Sequence, residues 1–351
     1  MKKKALNIIL LFLIFVPLSH CAPPVYEEKV QTSPPGQPGK VFSGIGIALT
    51  PRHFPNHTPE DVRQMFRIGR NLGEYAVFIY QWSDPNLFSA VKAMLKLSQE
   101  WKYIPMIGLS PTILGGLRDK LDVPEGVRKK AKGNLSFSNP EVYKPYIETV
   151  TELARLKPPY LCLATEINLM AFSNINEYIY FGHVYKKLYP VIKKISPETK
   201  VFVSFQWDAM VILDRKEPNK IKEHSKLIKL FRPELDLIAF TSYPADHYAR
   251  ATDLPMDYYS RIYDHAKKDD EIMFMEIGWP APGKEHYAKQ ENFIISLPMF
   301  MRDVKPKVLV WSLLHDVQTP QLSNDLATTG LVTRKGEMKP AFHSYKELKN
   351  K

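Results

Sequence analysis

Eight apolar runs of strand length recur from Val41 to the end of this chain, separated by stretches with helical periodicity. They fall at 41–48, 74–80, 102–108, 159–165, 200–205, 236–241, 271–275 and 307–313. Each is continuously apolar rather than alternating, as expected of strands covered on both faces. Regular strand–helix alternation builds parallel sheets. Eight repeats suit one closed (β/α)8, or TIM, barrel, which needs about 250 residues before insertions. A chain of 351 residues with 44% hydrophobic content can bury such a core. The expected fold class is therefore α/β, with a single barrel over 41–351.

The helices carry their own start signals. Thr58-Pro59-Glu60-Asp61 supplies an N-cap residue, Pro at the first helical position and acidic groups against the dipole. Val62, Met65, Phe66 and Leu72 follow near helical period, and Gly73 closes the segment. Segments 139–155, 174–195 and 285–303 read the same way. Pro105 is out of character for the third strand, because it removes a ladder donor. The connection at 109–139 is unusually long. It holds Gly115-Gly116 and a basic cluster that includes Arg118, Lys120 and Arg128, so it reads either as a lid or subsite wall at the catalytic face or as a mobile basic surface loop.

The N-terminus has a different composition. Lys2, Lys3 and Lys4 precede an apolar stretch from Ala5 to Leu18, so residues 1–20 read as a signal peptide. The stretch is short for a membrane span. It ends Leu18-Ser19-His20-Cys21, which resembles a bacterial lipobox, with Cys21 as the lipidated residue, although His20 stands where a small residue is usual. Residues 21–40 are Pro-rich and read as a linker. These features imply a lipoprotein held at a membrane of the bacterial envelope, with plain secretion as the alternative. Removing the three leader lysines from the net charge of +11 leaves +8. No basic block is dense enough for a nucleic-acid footprint, so no nucleic-acid partner is expected. The chain is expected to act as a monomer. Of two cysteines, Cys162 lies within a strand and reads as a buried, inert thiol.

Two strand-length runs end in a carboxylate. YLCLATEINL (160–169) reaches Glu166 and IMFMEIGWP (272–280) reaches Glu276, 110 positions later. Catalytic groups of a (β/α)8 barrel sit at the C-terminal ends of its strands. Two such carboxylates facing one pocket are the minimum equipment for splitting a glycosidic bond. Four of five tryptophans, Trp82, Trp207, Trp279 and Trp311, also fall at or just past expected strand ends. They are expected to form an aromatic rim on which sugar rings stack. Tyr80, Gln81, Gln206 and Tyr243 would add hydrogen-bonding groups there. The ten histidines show no ligand-like pair at a strand end; His53 and His57 lie on a loop after the first strand. Neither a metal nor another cofactor is expected.

The two carboxylates, the EIGWP around the second, the FTSYP of strand six, the VWSLL of strand eight and the ending GLVTRKGEMKPAFHSY (330–345) resemble clan A glycoside hydrolases. EIGWP is closest to the corresponding motif of families 17 and 53. The resemblance runs from about Val41 to Tyr345. It implies that Glu276 is the nucleophile, Glu166 the general acid/base, Tyr243 a hydrogen-bond donor to the nucleophile, and Trp311 a platform under the cleaved sugar. The clan has Asn before its acid/base, for the sugar 2-hydroxyl. Here Thr165 holds that position and the nearest Asn is Asn168, so both are candidate substrate contacts. The expected function is retaining hydrolysis of a β-linked oligo- or polysaccharide. The alternative is a non-catalytic carbohydrate-binding lipoprotein on the same barrel.

Overall fold

All eight expected strands form. The computed structural model describes residues 41–116, 118–320 and 322–351. The expected signal peptide, the linker and Cys21 lie outside these residues. The strands are β1 (Ile45–Ala48), β2 (Tyr75–Gln81), β3 (Ile104–Ser110), β4 (Tyr160–Cys162), β5 (Lys200–Phe202), β6 (Ser204–Gln206), β7 (Ile238–Ser242), β8 (Ile272–Ile277) and β9 (Val308–Trp311). Every pairing is parallel, in the order β5-β4-β3-β2-β1-β9-β8-β7-β6. β5 and β6 are two pieces of the fifth expected strand, interrupted at Val203. β5 pairs with β4 and β6 with β7, so the two edges of the sheet belong to one continuous segment. The ring closes there into an eight-stranded barrel with helices outside.

The chain's local signals survive intact. Thr58 caps the helix Pro59–Gly69: its hydroxyl accepts from the Asp61 amide, and Asp61 accepts back from the Thr58 amide at 2.8 Å. Pro105 stands opposite Ala76 of β2, but β3 meets β4 only from Met106 onward. The missing donor therefore falls before that ladder begins. At Gly73 the chain passes directly against β1, where an added Cβ would lie 2.2 Å from the Ile45 carbonyl oxygen.

Two separate apolar cores reflect the two faces of the strands. Ala48, Val77, Met106, Cys162, Phe202, Ala239, Met273, Met275, Val308 and Val310 form a cluster with no helical residue in it, and they fill the barrel interior. The residues between them, among them Phe78, Ile107, Leu161, Phe240, Phe274 and Leu309, join the larger core under the helices. Burial pushes the Cys162 thiol up to about 12, so it stays protonated inside the barrel, as the sequence led us to expect.

This division corrects the expected aromatic rim. All four indoles belong to the helix-side core and are between 0% and 2% exposed. Val308 and Val310 face inward, so Trp311 faces out; Val77 faces inward, so by the same alternation Trp82 faces out. Trp311 donates through Nε1 to the Thr329 carbonyl at 2.7 Å, Trp82 to the Thr149 hydroxyl at 3.1 Å and Trp207 to the Tyr258 carbonyl at 3.1 Å. Trp279 lies against Phe293 with ring centroids 4.9 Å apart. None offers a face to a sugar. Trp311→Ala should therefore behave as a core truncation and cost about 3–5 kcal/mol of unfolding free energy in denaturant titration. A change under about 1 kcal/mol would contradict this placement.

Candidate active site

β4 ends at Cys162, but its backbone stays tied to the next strand. The Leu163 amide donates to the Phe202 carbonyl at 2.8 Å, and the Ile167 amide donates to the Ser204 carbonyl at 2.9 Å. Glu166 lies between them with φ +51°, in the left-handed region that a non-glycine residue occupies at a cost of about 1–3 kcal/mol. Its amide donates to the Ser204 hydroxyl at 2.9 Å, which helps hold that conformation. The carboxylate is thereby brought to the mouth of the barrel. Its Oε1 accepts from the Thr241 hydroxyl of β7 at 2.8 Å. Its Oε2 accepts from Arg118, through Nε at 3.2 Å and through Nη2.

Glu276 reaches the same place by a different device. Met273 and Met275 face inward, so strict alternation would send Glu276 outward with Phe274. The β7–β8 register instead passes from Phe240↔Phe274 to Thr241↔Glu276, and the β8–β9 register shifts between Phe274 and Ile277. One extra residue, Met275, is accommodated in a bulge, and the residue after it changes face. Glu276 then meets Tyr243, whose hydroxyl donates to its Oε2 at 2.5 Å. Gly278 explains part of the EIGWP motif. A Cβ there would lie 2.6 Å from the Ser312 hydroxyl and 2.9 Å from the Tyr243 ring, so any side chain would push the phenol off Glu276.

Tyr243 is itself fixed from behind. Asp208, fully buried at the start of the helix Trp207–Lys216, accepts from the Tyr243 amide at 2.6 Å and from the Ser242 hydroxyl at 2.8 Å. It also accepts from Gln206 Nε2 at 2.9 Å and from the Tyr258 hydroxyl. Burial pushes the Asp208 carboxyl above its usual range, and these donors oppose that rise.

The two glutamates differ in electrostatic surroundings. Burial, then the negative charge of Glu166, push Glu276 up to about 7; the Tyr243 hydrogen bond and Arg118 pull the other way. Burial and both glutamates raise the Tyr243 phenol well above its ordinary value, so it remains a donor. Glu166 has a full cation against it, and both partners of that ion pair are largely buried, with side chains 13% and 7% exposed.

Several of the expected substrate contacts have other work. Asn168 and Gln206 bind each other's backbone: Asn168 Nδ2 donates to the Gln206 carbonyl at 3.0 Å, and the Gln206 amide donates to Asn168 Oδ1 at 2.7 Å. The Gln206 side chain caps the helix it precedes, accepting from the Ala209 amide. Neither side chain is free for a sugar hydroxyl, because the turn after each strand consumes it. Thr165 is 2% exposed and its hydroxyl has no partner among the described residues. Glu166, Glu276 and Tyr243 are thus brought together, and the four tryptophans, Asn168 and Gln206 are not. Arg118, Thr241, Ser204 and Asp208 complete the site. Arg118 stood out in the sequence only as one member of a basic loop, and Asp208 was not singled out at all; its place directly after Gln206-Trp207 at a strand end is the signal that could have found it.

Glu276 gives a test of this enclosure. A carboxyl raised from an ordinary 4.5 to about 7 disfavours folding once ionised. That penalty is absent below about pH 4.5, grows as pH rises toward 7, and is complete above it. Glu276→Gln should therefore stabilise the fold at pH 8, by something on the order of 3 kcal/mol or less, and give no gain at pH 4. Equal effects at both pH values in thermal unfolding would show that Glu276 is not enclosed.

No protein-family model matches the chain, and no curated protein matches it either. Solved structures do. The exo-β-1,4-mannosidase Op5Man5 from Opitutaceae bacterium strain TAV5 superposes with a TM-score of 0.67 at 14% identity over 88% of this chain. The match spans 59% of that enzyme's length. GH5_18 from Streptomyces cattleya, in complex with Manb1-4GlcNAc, gives 0.66 at 17% identity, over 87% of this chain and 79% of its own. Xylanase 10B from Thermotoga maritima gives 0.60 at 13% identity, over 88% and 95%. At these identities the likeness establishes the (β/α)8 barrel that the strand order also shows.

Proposed function

We propose that the chain is a retaining glycoside hydrolase acting on a β-linked glycan. The observation that carries this reading is the meeting of Glu166 and Glu276 at one barrel mouth, electrostatically coupled yet given different partners. Two carboxyl groups in unequal surroundings can divide the work of acid and nucleophile. The neighbouring structures that are a mannosidase and a xylanase by name support the substrate class.

In this reading Glu276 attacks the anomeric carbon while Glu166 delivers a proton to the departing oxygen, leaving a glycosyl ester on Glu276. Glu166 then takes a proton from water as that water attacks the same carbon and releases the Glu276 carboxylate. Two inversions return the starting configuration. Tyr243 steadies the ionised form of Glu276 before attack and its leaving form afterwards. Thr165 holds the sequence place of the Asn with which the clan contacts the sugar 2-hydroxyl, and its hydroxyl has no partner among the described residues. A second reading, a sugar-binding barrel without catalysis, is favoured by one observation. Arg118 lies in an ion pair with Glu166, a contact that the acid step would have to give up.

Proton NMR of the first product formed from a β-linked oligosaccharide tests the mechanism: the β-anomer should precede mutarotation. Because Glu276 must be ionised and its carboxyl lies up at about 7, kcat/KM should fall as pH drops below about 7. Tyr243→Phe removes an influence that lowers that value, so it should move this limb to higher pH. Glu276→Ala should lower kcat at least about 10³-fold, as for loss of a covalent nucleophile. Binding of a glycan with no hydrolysis by the native chain would select the second reading.

We also propose that Cys21 carries a lipid and holds the barrel at the bacterial envelope. This rests on Lys2-Lys3-Lys4, the apolar 5–18 stretch and Cys21 itself. Labelled palmitate should enter the native chain and not Cys21→Ala; equal labelling of both would leave simple secretion or an uncleaved anchor as the reading.

A further inference from the structure

The loop after β3 delivers Arg118 to the catalytic carboxylate, and it is built to do so. An antiparallel bridge pairs Thr112 with Leu121, the Ile113 amide donates to the Lys120 carbonyl at 3.0 Å, and the Asp122 amide donates to the Pro111 carbonyl at 2.8 Å. Arg118 stands near the tip with φ +55°, a left-handed backbone that a non-glycine residue adopts only when its surroundings hold it there. The guanidinium is 7% exposed by side chain and spends Nε and Nη2 on Glu166. Its remaining hydrogen bond among the described residues runs from Nη1 to the Ile113 carbonyl at 3.4 Å, near the limit of useful length. The proposed reaction needs a proton on Glu166, and a guanidinium bound to that carboxylate opposes it. Arg118 also cannot be far from the bond that is cut, because it touches the group that must reach the glycosidic oxygen.

Resting on the glycosidase reading, we infer that the substrate carries a carboxylate on a sugar beside the scissile bond, a uronic acid, and that Arg118 is the specificity-determining residue that binds it. A guanidinium fork that now faces one carboxylate fits another without change of geometry. When the uronate takes Arg118, Glu166 loses its cation while still beside Glu276. The cation that opposes a proton on Glu166 is then gone, while Tyr243 still donates to Glu276 and favours its ionised form, which leaves Glu166 to carry the proton the reaction uses. A neutral glycan leaves Arg118 on Glu166. The charge of the substrate thereby arms the site.

Aryl glycosides are unsuitable probes, because a nitrophenolate departs without an acid. The test uses uronate-containing β-linked oligosaccharides and the same oligosaccharides with each carboxyl reduced to an alcohol, which keeps linkage and shape. The native chain should cleave the acidic form with kcat/KM at least tenfold above the reduced form. Arg118→Gln should bring that ratio near one, by losing rate on the acid form and gaining it on the neutral form. Arg118→Lys, which keeps the charge without the fork, should fall between. Equal rates on both forms, or a preference unchanged in Arg118→Gln, would overturn the assignment. Calorimetric binding of the same pairs separates this failure from that of the glycosidase reading. If nothing is cleaved, tighter binding of the acidic form that disappears in Arg118→Gln still supports the uronate contact, and equal binding overturns it.

Discussion

A strand in a closed barrel offers each residue two destinations, the interior or the helix layer, and the single extra residue in β8 decides which of them Glu276 reaches. Met273 and Met275 both project into the barrel, so the next position would ordinarily lie under the helices. The bulge that accommodates Met275 reverses that order at the last moment. The proposed chemistry depends on this local irregularity more than on any one bond. Without it Tyr243 would face no carboxylate, and Glu166 would have no second acid to be coupled to.

The electrostatic asymmetry at the mouth is built from separate elements. Thr241 comes from β7 and Arg118 from the loop after β3, and both serve Glu166. Glu276 has Tyr243, which in turn depends on a buried Asp208 at the first turn of the helix after β6. Asp208 touches neither glutamate. It positions the donor by holding its backbone, which is how a fully buried acid with four donors can matter to a site it does not enter.

Much of this could be read from residue order alone. Continuous apolar runs exposed the eight strands, and their carboxylate ends pointed to Glu166 and Glu276. Tyr243 was found through its motif. The tryptophans misled because proximity to a strand end says nothing about side. Counting by twos from Val308 through Val310 would have sent Trp311 outward, and the same count from Val77 sends Trp82 outward. The same count would have misplaced Glu276, since nothing in IMFMEI announces a bulge. Asn168 and Gln206 were polar, near the mouth and plausible, but a turn's own amides took them first. Arg118 lay 48 positions from Glu166 in a loop rich in cations, and only a folded hairpin distinguishes it from its neighbours.

The Val41 amide donates to the Lys351 carbonyl at 2.8 Å, so the start and finish of the barrel are adjacent beneath the N-terminal end of β1. An attachment at either residue therefore leaves from the base, opposite the two glutamates. A circular permutant joining these ends by a few residues, and reopened in a loop on the base, would keep every strand pairing. For the same reason a barrel of residues 41–351, immobilised or fused through Val41 or Lys351, would present its mouth outward. Loops on the far rim, including the one that bears Arg118, would remain free to be exchanged as units.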